Sequence, residues 1–346
     1  MDYLEILNGI RSGLTGDKEH DRKHLLTQSE MYKGHSLSTE IQREIGRLLF
    51  NCLPDELMVE GNRVFVDDQQ RLNSVIAQAR SKINEGNYDA AEQLILSILP
   101  NPEDELYQHD SVSMYLSFNN DLEATYYEYI FQPTKTLKYP PFPFKALYQT
   151  YSYILFEKRE FANALSVLER ALERCPIDTD LIFELAEVNK MLCNIETFFE
   201  LTKKCHQFIY TPQDFARYFR NLGYYFIEKE QWSEAICSFL QSYYVFAESK
   251  QKVEAELNYI SDKTGIDIVI DDYSDAEKFI GVHGIPFTPE LDWLCIALKN
   301  GLSYMESNEW QSASHYLNLV YQMTKDDEVL EKLNYCQEHL EGGADE

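Results

Sequence analysis

The sequence predicts an all-α fold of paired helices, and three observations support this prediction. The 346 residues include only 14 Gly and 11 Pro but 24 Tyr and 19 Phe, a balance that favours helices packed through bulky side chains. Apolar residues recur along the chain at helical spacing. One such spacing also returns at near-multiples of a single period, which is typical of a repeat array.

The charge and the hydropathy exclude several classes of protein. Lys plus Arg is 31 and Asp plus Glu is 58, so the formal net charge is −27. A duplex nucleic-acid binder and a polybasic membrane-surface protein both need a basic face, so we expect neither nucleic acid nor membrane as a partner. The sequence has no long apolar run, no leader-like start and no CxxC among its seven cysteines. We therefore expect a cytoplasmic protein with reduced thiols.

The first 70 residues lack the repeated spacing, and we predict that they form an N-terminal helical cap. Residues 42–53 have the pattern of one amphipathic helix. In residues 57–66 two short apolar runs flank a Gly61-Asn62 pair, and this pattern predicts a small β-hairpin within the cap.

The clearest helix pair begins at Phe219. Its first helix places large apolar residues at i, i+3 and i+7, and its second begins with a small residue that permits close approach. The positions are Phe219, Leu222, Gly223, Phe226, Trp232, Ala235 and Phe239. This spacing resembles the tetratricopeptide repeat (TPR), whose pattern is W-x2-L-G-x2-Y followed by A-x3-F. An aromatic residue replaces each aromatic of that pattern, and its Leu-Gly pair is intact.

The spacing returns from Tyr148 and from Ala297, and more weakly elsewhere. Ala164 and Ala235 are 71 residues apart, about two periods of roughly 34 residues. Phe199 takes the small-residue position of a weaker copy. We predict helix pairs near 72–100, 105–132, 145–175, 179–210, 216–247 and 294–323.

The resemblance implies a right-handed α-α superhelix, a TPR solenoid, over residues 71–346. We predict an insertion near 265–290, because residues 266–270 form a strand-like apolar run. A polar-faced capping helix is expected near 327–340, since such arrays need to cover their last apolar face.

Candidate metal and catalytic sites find little support. His20 and His24 have the i, i+4 spacing of a metal pair but lack the glutamate of HExxH, so a solvated helix face explains them better. The chain has no GxSxG, no recognisable nucleophilic cysteine and no phosphate-binding glycine loop. We expect no metal, no cofactor and no enzymatic activity. An acidic cluster in the insertion lacks the spacing of a calcium loop; it consists of Asp267, Asp271, Asp272, Asp275 and Glu277.

The candidate binding site comes from the resemblance. In that family the first helix of each pair lines a concave groove that holds an extended peptide. Two arginines of the predicted groove are three residues apart, so they share a helix face and suit a carboxylate or an acidic peptide. The alternative is that they pair with neighbouring acids. The groove candidates are Gln149, Tyr153, Phe183, Glu187, Arg217, Arg220, Asn221 and Tyr224.

One known binding mode of the family is not expected. Its Lys- and Asn-based clamp for a C-terminal carboxylate is not reproduced, because Gln149 and Tyr153 stand at the matching positions.

Charge is uneven along the array. Residues 145–247 carry 11 basic and 14 acidic side chains, whereas residues 248–346 carry 7 and 21. The last third is therefore a candidate surface for a basic partner. We predict a non-enzymatic adaptor or regulator that binds a protein or peptide. The alternatives are a bacterial-type signalling-peptide receptor, and an enzyme or phosphatase-like effector with active groups in residues 1–70. The sequence leaves the partner and the oligomeric state open.

Overall fold

A computed structural model describes residues 3–52, 55–99, 107–268 and 284–342, and it confirms the predicted all-α fold. None of the helices in these ranges is both long and apolar enough to cross a bilayer. In chain order the elements are α1 (Tyr3–Ser12), α2 (Lys18–Met31), α3 (Ser38–Asn51), α4 (Asp55–Asn84), α5 (Tyr88–Leu96), β1 (Ser113–Tyr115), α6 (Asp121–Phe131), β2 (Thr136–Lys138), α7 (Phe144–Glu157), α8 (Phe161–Arg174), α9 (Thr179–Met191), α10 (Ile195–Cys205), α11 (Pro212–Glu228), α12 (Trp232–Val245), α13 (Lys250–Thr264), α14 (Leu291–Glu306), α15 (Trp310–Thr324) and α16 (Asp327–Gly342).

The chain divides into two compact units, and neither is continuous in sequence. The first unit is Met1–Ser117 with Pro133–Lys158, and the second is Phe118–Gln132 with Arg159–Glu346. The domain boundary predicted at residue 70 falls inside α4. Of the predicted insertion, residues 269–283 lie outside the described part of the chain, together with most of the acidic cluster.

The N-terminal helices of the first unit pack around an apolar core. Ile6 and Ile10 of α1 meet Leu25 of α2 and Ile41 of α3, and all four are buried. A Cβ added at Gly13 would lie 2.3 Å from the ring of His24, which also hydrogen-bonds the carbonyl of Ile10 at 2.9 Å. His24 therefore has a packing role in the turn between α1 and α2.

The predicted hairpin at residues 57–66 is wrong, because these residues lie within α4. The apolar pairs Leu57-Met58 and Val64-Phe65 are seven residues apart in the sequence, a spacing that equals two turns of an α-helix. A short apolar run with this spacing is compatible with helix or strand. The Gly61-Asn62 pair is accommodated inside the helix.

β1 lies within the helix pair predicted at 105–132, and β2 lies between that pair and the one predicted at 145–175. β1 pairs with β2 in parallel, with Ser113 opposite Thr136. Residues 107–120 contain β1 and no helix, so the pair predicted at 105–132 reduces to α6. The cause is local: the Asp110 side chain accepts hydrogen bonds from the backbone N–H groups of Val112 and Ser113 and holds a turn.

Five turns between consecutive helices of the described residues share one geometry. Each has a residue with φ between 56° and 75°, in the left-handed region. After Glu230, for example, the N–H of Gln231 donates to the carbonyl of Phe226 at 2.8 Å, which satisfies a carbonyl of the last turn of α11. The left-handed residues are Gly86, Arg159, Cys193, Glu230 and Asn308.

The fifth residue after each left-handed residue is completely buried. Four of the five are alanines, and the fifth is Phe198. We assigned the small-residue position of this pair to Phe199, but the turn at Cys193 places Phe198 there. Phe199 lies against the ring of Tyr225 instead, with the centroids 3.9 Å apart. The four alanines are Ala91, Ala164, Ala235 and Ala313.

Two pairs of the second unit repeat the same close approach. A Cβ at Gly223 of α11 would meet the Phe239 ring of α12 at 2.7 Å, and a Cβ at Gly301 of α14 would meet Leu317 of α15 at 3.0 Å. Both contacts join residues sixteen positions apart. The glycine of the predicted pattern therefore makes room for a large side chain of the second helix.

α6 is held in the second unit by a buried polar network. The Glu123 carboxylate accepts hydrogen bonds from the backbone N–H and the amide of Asn119 and from the Tyr210 hydroxyl, all between 2.8 and 2.9 Å. The Asn119 amide also donates to Asp178 at 2.9 Å. Burial raises the pKa of Glu123 above its usual value.

An aromatic pair holds the other side of α6. Tyr126 lies parallel to Trp293 of α14, with the ring centroids 3.7 Å apart. Both side chains donate to the carbonyl of Gln207, at 2.7 and 2.9 Å. This carbonyl belongs to the single helical turn His206–Phe208 that leads into α11, so α6 and α14 fix the start of that helix.

Candidate functional site

Six of the eight predicted groove residues lie on two neighbouring helices of the second unit. Phe183 and Glu187 are on α9, and the other four are on α11. The remaining two candidates, Gln149 and Tyr153, are on α7 in the first unit. The four on α11 are Arg217, Arg220, Asn221 and Tyr224.

The N-termini of α9 and α11 are tied to each other. Thr211 caps α11 by accepting from the backbone N–H of Asp214, and Pro212 follows as the first helical residue. The Asp214 carboxylate then accepts from the hydroxyls of Thr211, at 2.9 Å, and of Thr179 in the first turn of α9, at 3.1 Å. This link sets the register in which the two helices present their side chains.

Arg217 lies across the gap between the two helices. Its guanidinium carbon is 4.8 Å from the centroid of the Phe183 ring, which is fully buried. One guanidinium nitrogen is 4.0 Å from the Asp180 carboxylate, and both of these side chains are partly exposed. The guanidinium therefore lies against α9 while about a third of the Arg217 side chain stays exposed to solvent.

Arg220 lies deeper and lacks an acidic partner. Its guanidinium donates to the Ser242 hydroxyl of α12 at 3.3 Å, and it forms no ion pair with any residue in the described ranges. Ser242 is fixed in turn, because it donates to the carbonyl of Ala216 at 2.9 Å. Burial, and then the charge of Arg217, lower the pKa of Arg220. The positive charge of Arg220 is thus partly removed from solvent and is not paired with a carboxylate of the described residues.

The other end of the α11 face is aromatic and acidic. The Lys190 ammonium lies 4.5 Å from the centroid of the Tyr224 ring and forms an ion pair with Glu187. Burial raises the pKa of Tyr224 to about 12, together with a hydrogen bond to Glu228 and the charges of Glu187 and Glu256. The face of α11 that carries the four candidate residues therefore changes from cationic at Arg217 to acidic surroundings at Tyr224, near the C-terminal end of the helix.

Asn221 lies between these two ends. Its amide reaches the Thr202 hydroxyl of α10 at 3.5 Å, the limit of a hydrogen bond, so the side chain retains donor and acceptor capacity.

The two candidates on α7 have local contacts in the first unit. Tyr153 is 46% exposed, and burial followed by a hydrogen bond to Glu157 raises its pKa. The Gln149 carbonyl accepts from the Ser152 hydroxyl at 3.0 Å.

Three residues that matter here were not among our candidates. Asp180 and Lys190 lie three residues before Phe183 and three after Glu187, so helical spacing was a sufficient signal for both. Ser242 had no such signal, because it reaches Arg220 from α12 only through the packing of the pair.

Metal and nucleophile chemistry has no geometric support in the part of the chain that the structure describes. That part contains no group of three or more His, Cys, Asp or Glu side chains placed to hold a metal ion. His20 faces the Thr15 hydroxyl and Asp21. Cys205 is completely buried, and burial raises its pKa well above the usual value, which disfavours the reactive thiolate.

Comparisons with known proteins identify no family for this chain. No family model matches the chain, and no curated protein matches it. Among solved structures, the TPR domain of P58(IPK) is 14% identical; the match covers 93% of this chain and 80% of that chain, with a TM-score of 0.28. The repeated turns and glycine contacts of the chain itself indicate helical repeats.

Proposed function

We propose that this protein is a non-enzymatic adaptor or regulator whose α9–α11 face binds an extended protein segment through an acidic side chain. The proposal rests on one observation: Arg220 is partly buried and has no carboxylate partner among the described residues. Removing a guanidinium from water is costly unless a carboxylate or phosphate balances its charge. The chain has 58 acidic residues, yet Arg220 has none of the described ones as a partner.

The neighbouring groups suit a carboxylate ligand. Arg217 lies one turn before Arg220 on the same helix face, and its side chain is partly exposed beside Phe183. Two guanidiniums on one face provide several N–H donors with the geometry that a carboxylate accepts. A bound carboxylate would also relieve the repulsion between the two arginines.

Asp180 acts in this proposal as an internal competitor. Its carboxylate is 4.0 Å from Arg217 and forms no ion pair with Arg220. A ligand carboxylate that bridges both arginines would therefore replace a long, partly exposed ion pair by shorter hydrogen bonds. The acidic surroundings of Tyr224 then favour an uncharged or basic residue at the other end of the bound segment.

A peptide array tests the proposal. The full chain is applied to random peptides of about eight residues, which span about 26 Å when extended, close to the length of α11. We expect bound peptides to be enriched in Asp and Glu. Arg220→Gln should weaken the selected peptides roughly tenfold or more, because a charged hydrogen bond contributes about 1.5–3 kcal/mol. Asp180→Asn should strengthen them.

The matched control is Lys204→Gln, which removes one positive charge from an exposed position of α10 in the same unit. It should leave peptide selection unchanged. Enriched peptides without acidic residues would contradict the acidic ligand, and an absence of any selected peptide would contradict peptide binding as a whole.

Two finer possibilities belong to the same proposal. A receptor for a short signalling peptide is the alternative to an adaptor, and a saturable rise of the melting temperature with free peptide favours it. The acidic last third is a further candidate surface, for a basic partner. We place the function in the cytoplasm, in keeping with the reduced thiols expected from the sequence.

A further inference from the structure

The first unit contains a small polar cavity that is separate from the α9–α11 face. It encloses about 70 Å³ between α1, α3, β1 and β2. A cavity of about 150 Å³ is needed to hold a benzene ring, so this one suits a group of a few heavy atoms. The side chains that carry the argument are Tyr3, Arg43, Arg47, Tyr115 and Lys138.

Several hydrogen-bond donors at the cavity are not used by the protein. Tyr3 is only 7% exposed, and its hydroxyl makes no hydrogen bond within the described ranges. The hydroxyl of Tyr115, a partly buried residue, also makes no hydrogen bond within the described ranges. The Lys138 ammonium is 3.6 Å from the Glu44 carboxylate, too far for a hydrogen bond, so its N–H groups remain available. Three donors from three elements thus meet at one cavity.

The acceptors in the wall, in contrast, are already engaged. Glu44 accepts from Arg11 at 2.6 Å and from Arg47 at 3.3 Å. Asp110 accepts from Arg43 at 2.8 Å, in addition to the two backbone N–H groups of its turn.

The local charge is more positive than the chain as a whole. Glu40, the third acid of the wall, accepts from Ser111. The pKa of Glu44 is lowered although burial raises it, because cations surround the carboxylate. The three cations of the lining, Arg43, Arg47 and Lys138, therefore balance its three carboxylates, in a chain whose net charge is −27.

We propose that this cavity binds a phosphate group. A site with spare donors and engaged acceptors favours a ligand that only accepts hydrogen bonds. The donors approach from α1, β1 and β2, and the exposed guanidiniums of Arg43 and Arg47 add N–H groups from α3. A tetrahedral oxyanion accepts from all of these directions at once, whereas a carboxylate accepts in one plane.

The test measures phosphate binding to the full chain. Inorganic phosphate is titrated at constant ionic strength while the ³¹P line width and the melting temperature of the protein are followed. We expect saturable line broadening and a rise of the melting temperature. Lys138→Met and Tyr115→Phe should each weaken binding, the first about tenfold or more, because it removes a charged donor. Tyr115→Phe keeps the proposal testable if Lys138→Met unfolds the unit.

Controls separate this site from general anion binding. Lys33→Met removes an exposed charge of the first unit, whose partner is Glu30, and should leave phosphate affinity unchanged. Acetate at equal ionic strength should bind more weakly than phosphate. A parallel titration with O-phosphoserine distinguishes the sources, since tighter binding of the ester indicates a phosphorylated molecule and tighter binding of the free ion indicates inorganic phosphate.

Three results would overturn the proposal. The first is the absence of saturable broadening in the unmodified chain. The second is that the Lys138→Met and Tyr115→Phe variants both bind phosphate as tightly as the unmodified chain. The third is tighter binding of acetate than of phosphate.

Discussion

The missing Cβ of Gly223 sets the distance between α11 and α12. The ring of Phe239 occupies the space where a Cβ would stand, and that ring is only 1% exposed, so it has little room to move. We expect Gly223→Ala to lower the free energy of unfolding by about 1–3 kcal/mol, the usual cost of overpacking a core. Denaturant unfolding followed by circular dichroism measures the change.

Gly46 of α3 is the matched control, because nothing lies within 4 Å of the Cβ it would gain. Gly46→Ala should raise the free energy of unfolding by about 0.5–1 kcal/mol, since Ala has the higher helix propensity. Equal effects of the two substitutions would show that the Gly223 contact is not limiting.

The sequence identified the arginine pair but not its setting. Arg217 and Arg220 are three residues apart on an amphipathic helix, so their shared face follows from local geometry. That Arg220 meets Ser242 and lacks a carboxylate depends on how α12 packs on α11, and no spacing along the chain reports this. The binding role of the eight candidate residues stays a prediction.

Among the elements, the repeated turn offers the most direct test. Glu230 has φ 56°, a conformation that costs a residue with a Cβ about 1–2 kcal/mol relative to glycine. Glu230→Gly removes this cost. The greater freedom of glycine in the unfolded chain opposes the gain by about 0.5–1 kcal/mol. We therefore expect the free energy of unfolding to rise by roughly 0.5–1 kcal/mol in thermal or denaturant melts.

Ala255→Gly supplies the comparison for that turn. Ala255 is an exposed residue in the interior of α13, where glycine should cost about 1 kcal/mol. If both glycines destabilise the protein equally, the left-handed turn contributes no strain.

The elements also show where sequence reasoning succeeds. The helix pairs α4–α5, α9–α10, α11–α12 and α14–α15 were predictable, because their periodicity and small-residue positions are local. The pair predicted at 145–175 is instead divided, with α7 in the first unit and α8 in the second. The hairpin prediction was wrong because the Gly61-Asn62 pair indicated a turn while the seven-residue apolar spacing indicated a helix, and these residues lie within the long helix α4. β1 and β2 have three residues each, and α6 lies between them in the sequence. No local pattern therefore identifies them as paired strands.

For the whole molecule, the net charge of −27 should oppose folding. Exposed ion pairs contribute about 0–1 kcal/mol each and do not offset repulsion summed over the chain. Salt shortens the screening length from about 30 Å at 0.01 M to about 3 Å at 1 M. We expect the melting temperature to rise with NaCl over this range. A fall would mean that attractive pairs dominate the electrostatics.

The position of α6 in the second unit has a consequence for synthesis on the ribosome. Tyr126 leaves the ribosome 167 residues before its stacking partner Trp293. At about 5–20 residues per second, the gap is roughly 8–33 s. β1 and β2 are both complete during this time, so pairing between them would join the two ends of the segment that contains α6. It therefore waits as a tethered segment, and the second unit completes its core only when the last third of the chain has been made.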